Sequence, residues 1–446
     1  MFMDMIRGVI GMAVIIAVAM LFSRNRKAIP WKMVGIGLGI QFTLAVFILK
    51  GTVMEQYFAP LGYPKILFSW ISSFFVIVLD FTTAGAQFIF GDLAKSPGTD
   101  GSLGNFFAFQ VLPTIIFFAS LTSLMYHYGI LQKIVSLMSR GMQRLMGTSG
   151  AESLSVVANI FVGQTESPLV IKPYIDKMTR SELLAVMTGG MATIAGGVMA
   201  AYVQMLGNSY ALANGVPLDV GRLLFAEQLL GASLMAAPAA LVIAKIIFPE
   251  TDTPATRGGV RIDVEKTDAN GIDAAASGAG LGLKLALNVG AMLLAFIALL
   301  AMLNYALSYF GDITGLNAVL PEGFSLTIET LLGWTLAPIA FAVGVPWADA
   351  VQMGSLLGTK VVLNEFVAYL QLSDLVSQGV LSAKTMTMAT FALCGFANFS
   401  SIAIQIGGIG GLAPTRKSEL AQFGLLAVLA GSLANLMTAT IAGLLF

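Results

Sequence analysis

The sequence predicts an all-α polytopic membrane protein: eight transmembrane helices plus two re-entrant helical hairpins in an inverted repeat, with an interfacial helix. Three observations carry this expectation. The 446 residues are 57% hydrophobic and only 11% charged, with a mean hydropathy of +0.84, whereas a soluble domain carries about 25% charge. Eight apolar runs approach the ~20 residues that a helix needs to cross a bilayer. Two acids, Glu166 and Glu365, lie in segments that must fold at membrane depth. A carboxylate at a helix centre costs about 2.5–3.5 kcal/mol there on insertion scales and is usually retained for function.

The spans fall at about 6 to 22, 33 to 50, 106 to 126, 182 to 206, 223 to 248, 283 to 308, 386 to 412 and 420 to 446. The first ends at Ser23-Arg24-Asn25-Arg26-Lys27 with no small-residue cleavage site, so it reads as an uncleaved span. The positive-inside rule places that loop in the cytoplasm and both termini outside. On this topology 17 of the 24 Lys and Arg residues land inside. Residues 63 to 93 mix Trp70, Phe74, Phe75 and Phe81 with Asp80 and Asp92, which suits a helix lying at the interface or against another subunit. Residues 131 to 178 and 329 to 375 are too polar or broken for simple spans and too apolar for solvent loops, so each reads as a re-entrant hairpin. Residues 250 to 280, rich in Thr, Asp and Gly, read as a mobile cytoplasmic linker.

The two hairpin regions share an order. An amphipathic helix precedes Gly147-Thr-Ser-Gly-Ala-Glu152 in one and Gly344-Val-Pro-Trp-Ala-Asp349 in the other, then comes the acidic tip, then a span with small and polar residues at its centre. Those spans read Thr188-Gly-Gly-Met-Ala-Thr193-Ile-Ala-Gly-Gly197 and Leu393-Cys-Gly-Phe396-Ala-Asn398-Phe-Ser-Ser401, and both could unwind mid-membrane. Opposed copies with broken helices and a midplane site are the pattern of secondary transporters. Gln164, Thr165, Asn398 and Ser401 beside the two acids point to a neutral ligand rich in hydroxyls and amides, although each alone fits an ordinary interhelical hydrogen bond of about 0.6 kcal/mol.

Composition excludes several chemistries. Zero formal charge gives no footprint for nucleic acid, the single Cys394 allows no internal disulfide or CxxC site, and the single His127 makes a His-based metal site or a Ser-His-Asp triad untenable. Gly407-Gly-Ile-Gly-Gly411 lacks the Lys-Ser/Thr and the preceding strand of a nucleotide loop. No catalytic residue or organic cofactor is expected.

The segments "ANIFVGQTESPLV", "NEFVAY" and "CGFANFSSIAI", with "RNRKAI", "LALNVGAML" and "LLGW" elsewhere, resemble the concentrative nucleoside transporters over essentially the whole chain. The resemblance implies a homotrimer in the bacterial cytoplasmic membrane, with scaffold helices and the interfacial helix in 1–130, a first transport repeat in 131–249, the linker in 250–280, a scaffold helix in 281–310 and a second transport repeat in 311–446. It implies that Gln164, Thr165 and Glu166, beside Val198, hold a nucleobase, that Glu365, Asn398 and Ser401 hold the ribose, and that Phe396 lines the pocket. Gly163 and Thr193 sit where members differ between pyrimidine and purine choice. A co-transported sodium ion would use Asn159, Val162, Thr193 and Ile194; Thr193 replaces the Ser of several bacterial relatives and keeps the hydroxyl. Proton coupling is the alternative. An anion symporter is disfavoured because two carboxylates occupy the tips with only Lys360 nearby; an intramembrane enzyme with paired acids, or a channel, would be separated by turnover and by saturable, ion-dependent uptake.

Overall fold

The computed structural model describes residues 2–260, 268–321 and 325–446, and all regular structure among them is helical. The chain begins with α1 (Phe2–Leu21), α2 (Trp31–Tyr57) and α3 (Tyr63–Phe90). A single turn, α4 (Phe107–Gln110), leads into α5 (Leu112–His127), followed by the amphipathic α6 (Ile130–Met146). Gly129 and Gly147 bound α6 at φ 72 and 71, a left-handed backbone that favours glycine. A first hairpin pairs α7 (Gly150–Ala158) with a 3-10 helix, Ser167–Lys177; then α8 (Arg180–Ala192) and α9 (Gly196–Asn214) form one interrupted helix, and α10 (Leu218–Ile247) closes the half.

The second half repeats this order. A long helix α11 (Gly271–Thr314), the short α12 (Leu316–Val319) and α13 (Ile328–Ala342) precede a hairpin of α14 (Ala350–Val362) and α15 (Glu365–Gln378). An interrupted helix follows as α16 (Ala383–Leu393) and α17 (Phe399–Leu412), and α18 (Lys417–Leu444) ends the chain. Side chains set the helix starts. Ser149 with Glu152 and Thr179 with Glu182 form capping boxes at α7 and α8, while Asn364, Ser382 and Asn398 cap α15, α16 and α17. The hairpins therefore occupy 150–177 and 350–378, narrower than the 131 to 178 and 329 to 375 expected, because α6 and α13 are separate helices.

Seven helices among the described residues are long and apolar enough to cross a membrane by length and composition. They include α3 but neither α1 nor the α16–α17 pair, whose pieces are shorter. The interrupted helix α8–α9 and helices α10 and α18 form the buried centre; α11 buries only 17% of its most apolar window. Helices α1 and α2, expected on the scaffold side, pack against α10 and α18. Helix α3 contacts α10 through Lys65–Glu227 at 2.6 Å, with Ser69 donating to the same carboxylate, and through Arg222–Asp80 at 3.0 Å, polar contacts that can be exchanged if the helices slide.

The linker expectation needs correction. Residues 271–280 are the first turns of α11, started by Asn270, whose Oδ1 accepts from the amides of Ile272 and Asp273. Their small residues serve helix packing. A Cβ on Gly278 would meet Ser123 and the Ala119 carbonyl of α5, and one on Gly282 would meet Ile116 and Ala119. Residues 250–260 fold back on the first hairpin, where the Thr256 carbonyl accepts from Gly150 N at 3.0 Å. The remainder of that expected linker, 261–267, lies outside the described residues.

Replacing Gly282 by Leu must push α11 away from α5. Overpacking of this kind costs about 1–3 kcal/mol, so the purified variant should melt several degrees below the parent in detergent, whereas a Leu at Gly280, where a Cβ meets nothing, should leave the melting temperature in place.

Candidate functional site

The two helix breaks, 193–195 and 394–398, face each other at the centre of the bundle. Gly395 makes their approach possible: a Cβ there would collide with the Ala192 carbonyl and with Asn435 of α18. Asn435 then joins both breaks, its Nδ2 donating to the carbonyls of Ala192 at 2.7 Å and Cys394 at 2.8 Å. The Lys360 ammonium of α14 donates to Asn435 Oδ1 at 2.7 Å and to the Ala392 carbonyl at 2.8 Å. Lys360 was the cation expected near Glu365. It acts on Glu365 through space, but its direct contacts hold the second break, and it makes no ion pair among the described residues.

The hairpin tips meet at the N-terminus of α17. From the first tip, buried Gln164 donates through Nε2 to Ser401 Oγ at 3.0 Å, and its Oε1 accepts from Gln405 Nε2 at 3.0 Å. From the second, Glu365 is the first residue of α15 and is 6% exposed. Its Oε2 accepts from Asn398 Nδ2 at 2.9 Å and its Oε1 from the Tyr202 hydroxyl at 3.1 Å. Asn398 does double duty, because its Oδ1 also caps α17 by accepting from Ser401 N at 2.9 Å. One continuous chain thus runs from Gln405 through Gln164, Ser401, Asn398 and Glu365 to Tyr202. Such a set offers acceptors and donors to hydroxyl and amide groups and no net cation.

The other expected residues fall around this chain. Thr165 and Glu166 are exposed at the first tip, with Thr165 against Gly408 of α17. Gly163 leaves the space that the Glu166 carboxylate fills. Val198 is buried on α9 and Phe396 is half-buried in the second break. Tyr202, Gln405 and Asn435 were not anticipated. Two of them had a signal: Tyr202 lies one helical turn beyond Val198 and Gln405 one turn beyond Ser401, which puts each on the same face.

A second polar locus lies behind the first tip. Asn159, 1% exposed, donates from Nδ2 to the Ser155 carbonyl at 3.1 Å, while its Oδ1 is buried without a hydrogen-bond partner. The tip docks on the first break through Gly196 N donating to the Phe161 carbonyl at 3.2 Å. Thr193 donates to the Gly189 carbonyl at 2.9 Å, which leaves its hydroxyl lone pairs free. A buried acceptor without a donor beside interrupted backbone fits a hard cation that takes oxygen ligands, with Val162 and Ile194 adjoining on the tip and the break.

Three family profiles match the chain: "Na+ dependent nucleoside transporter N-terminus" over residues 10–93, "Nucleoside recognition" over 108–209 and "Na+ dependent nucleoside transporter C-terminus" over 228–443. Among curated relatives, the nucleoside permease NupC of Helicobacter pylori is 41% identical, covering 98% of this chain and 96% of its own. An uncharacterized transporter, YutK of Bacillus subtilis, is 45% identical over 99% of this chain and 100% of its own. The human sodium/nucleoside cotransporter 1 is 37% identical, matching 98% of this chain and 63% of the human protein. The solved structure of CNTnw in an inward-facing substrate-bound state superposes with a TM-score of 0.85 at 41% identity, covering 100% of this chain and 98% of that one.

Proposed function

This chain belongs to the sodium-dependent, concentrative nucleoside transporter family, and from that premise we propose that it imports nucleosides across the bacterial cytoplasmic membrane by symport with sodium. The carrying observation is the convergence of Gln164, Ser401, Asn398 and Glu365 on one point between the two hairpin tips and the two helix breaks. In this reading Gln164, Thr165 and Glu166 face the base beside Val198, Glu365 accepts from ribose hydroxyls with Asn398 and Ser401, and Phe396 lines the pocket. Sodium travels as a second substrate, held by the unpartnered Oδ1 of Asn159 with the Thr193 hydroxyl and the carbonyls of Val162 and Ile194.

Coupling follows from position. An ion bound between the first tip and the first break orders the tip that carries Gln164, so it raises nucleoside affinity; reciprocity makes the nucleoside raise ion affinity by the same factor. Alternating access is a displacement of the two hairpins, the interrupted helices and α10 and α18, with α1 and α2 riding on them, past α3, α5 and α11. Observation of the similar CNTnw in inward-facing, intermediate and outward-facing states supports such a cycle. The exposed Trp70, Phe74 and Phe81 of α3 supply an apolar face for a homotrimer.

Radiolabelled uridine and adenosine uptake into liposomes, under an inward sodium gradient, a choline control and an inward proton gradient, tests the proposal. Uptake driven only by protons would remove the sodium assignment and keep the nucleoside site. Glu365→Gln should express normally and lose uptake, because a charge-assisted hydrogen bond is worth about 1.5–3 kcal/mol, roughly a tenfold to hundredfold loss of affinity; wild-type uptake would take Glu365 out of the site. Asn159→Ala should raise the sodium concentration needed for half-maximal uptake several-fold, and an unchanged sodium dependence would remove Asn159 from the ion path.

A further inference from the structure

Both repeats end a half-helix at the centre of the bundle. Helix α8 ends at Ala192 and α16 at Leu393, so each presents carbonyls and the negative end of its dipole to the interior. At the first of these ends, hairpin 1 contributes the unpartnered Asn159 Oδ1 from the C-cap of α7. At the second, hairpin 2 contributes Lys360 from the last turn of α14, the corresponding arm. Lys360 is 2% exposed; its ammonium donates to the Ala392 carbonyl and to Asn435 Oδ1, and no carboxylate among the described residues stands at ion-pair distance, Glu365 acting on its charge only from farther off. A buried ammonium with no carboxylate in direct contact is expensive. Here its compensation is the carbonyl end of α16.

We propose that Lys360 is a tethered cation, whose ammonium fills at the break of α16 the place that the first repeat leaves for a travelling ion at the break of α8 beside Asn159. The assignment rests on the ion site of the proposed symport. It gives the inverted repeat an electrostatic logic: two equivalent carbonyl-lined ends each take one positive charge, one mobile and one covalently attached. It also assigns Asn435 a positioning role, since its Nδ2 bridges the Ala192 and Cys394 carbonyls while its Oδ1 accepts from the ammonium. Occupancy at either end is therefore felt at the other, and the fixed charge holds the second break in shape for Asn398 and Glu365 whether or not an ion is present.

The test is the ratio of charge to uridine moved by the reconstituted protein, together with uridine binding as a function of sodium. Wild-type protein should move one charge per uridine with a sodium activation that shows no cooperativity, and a ratio of two would overturn the proposal without any variant. Lys360→Met keeps the stem and removes the charge. It should bind uridine more weakly at low sodium, within the roughly 5–150-fold range of site coupling, recover at high sodium, and show cooperative activation with a charge ratio rising towards two. Lys360→Arg should keep the wild-type ratio. Weakened binding of Lys360→Met that sodium does not restore, or binding indifferent to the substitution, would make Lys360 a packing residue and overturn the inference. If wild-type uptake proves to be proton-driven, sodium symport fails, whereas a ratio of one charge per uridine in that same experiment upholds the tethered cation.

Discussion

Asn435 pairs with the ends of two interrupted helices at once, and the centre of the molecule is organised by that contact. An interrupted helix inside an apolar bundle frees carbonyls and amides that cost free energy unless they are paired, and no bulk water is available to pair them. The protein meets this requirement with side chains from neighbouring helices. Asn435 and Lys360 take carbonyls at the ends of α8 and α16, and Asn398 takes the Ser401 amide at the start of α17. The hairpin tip takes the Gly196 amide at the start of α9 through the Phe161 carbonyl. The polar residues of the site are therefore also the caps that allow the helices to break. Substrate-facing and structural duties fall on the same atoms, and a substitution at Asn398 or Asn435 disturbs both.

The base of hairpin 1 is tied down as firmly as its tip is open. Lys245 of α10 pairs with Glu152 of α7 at 2.8 Å, both nearly fully buried, and Ser149 donates to Glu182 of α8. Glu250 accepts from Thr179 at 2.7 Å and pairs with Lys245 at 3.4 Å, and Thr256 engages the first turn of α7. Charges this buried are tolerated because they are paired and hydrogen-bonded: Glu152 accepts from Ser149 N, and Lys245 donates to Ser181 and Glu250 besides pairing with Glu152. The consequence is that α7, α8 and α10 are cross-linked at the base of the hairpin, while the tip is joined to α17 and to the first break by Gln164 and Phe161.

Much of this was legible in the sequence, and for physical reasons. Acids at membrane depth are costly, so Glu166 and Glu365 marked the hairpin tips; small and polar residues at span centres marked both helix breaks; and Gln164, Asn398, Ser401 and Glu365 do converge. Composition misled where one residue type has two uses. The small residues at 274 to 280 read as the end of a linker and instead belong to α11, whose Gly278 packs closely on α5. Tyr202 and Gln405 were passed over as single polar residues in apolar runs, although the helical period placed each on a face already singled out. Lys360 was expected as the one cation near the acidic tips; its direct contact with the carbonyl end of α16 was invisible without the fold.

The same hydrogen bonds bear on how tightly such a site can hold a polar ligand. Glu365 already accepts from Tyr202 and Asn398, and Gln164 already uses both its donor and its acceptor. A ligand hydroxyl or amide that displaces one of these partners exchanges one hydrogen bond for another, which nets about 0.5–1.5 kcal/mol between neutral groups and about 1.5–3 kcal/mol at the Glu365 carboxylate, rather than the 4–6 kcal/mol of a bond formed from nothing. Polar complementarity then supplies selection more than affinity, since a group of the wrong kind leaves a buried partner unpaired at about 1–3 kcal/mol. On the proposed symport, further affinity would come from apolar burial against residues such as Val198 and Phe396 and from an ion that orders the tip. A site whose polar groups already satisfy one another thus selects its ligand by the pairing that the ligand can offer in exchange.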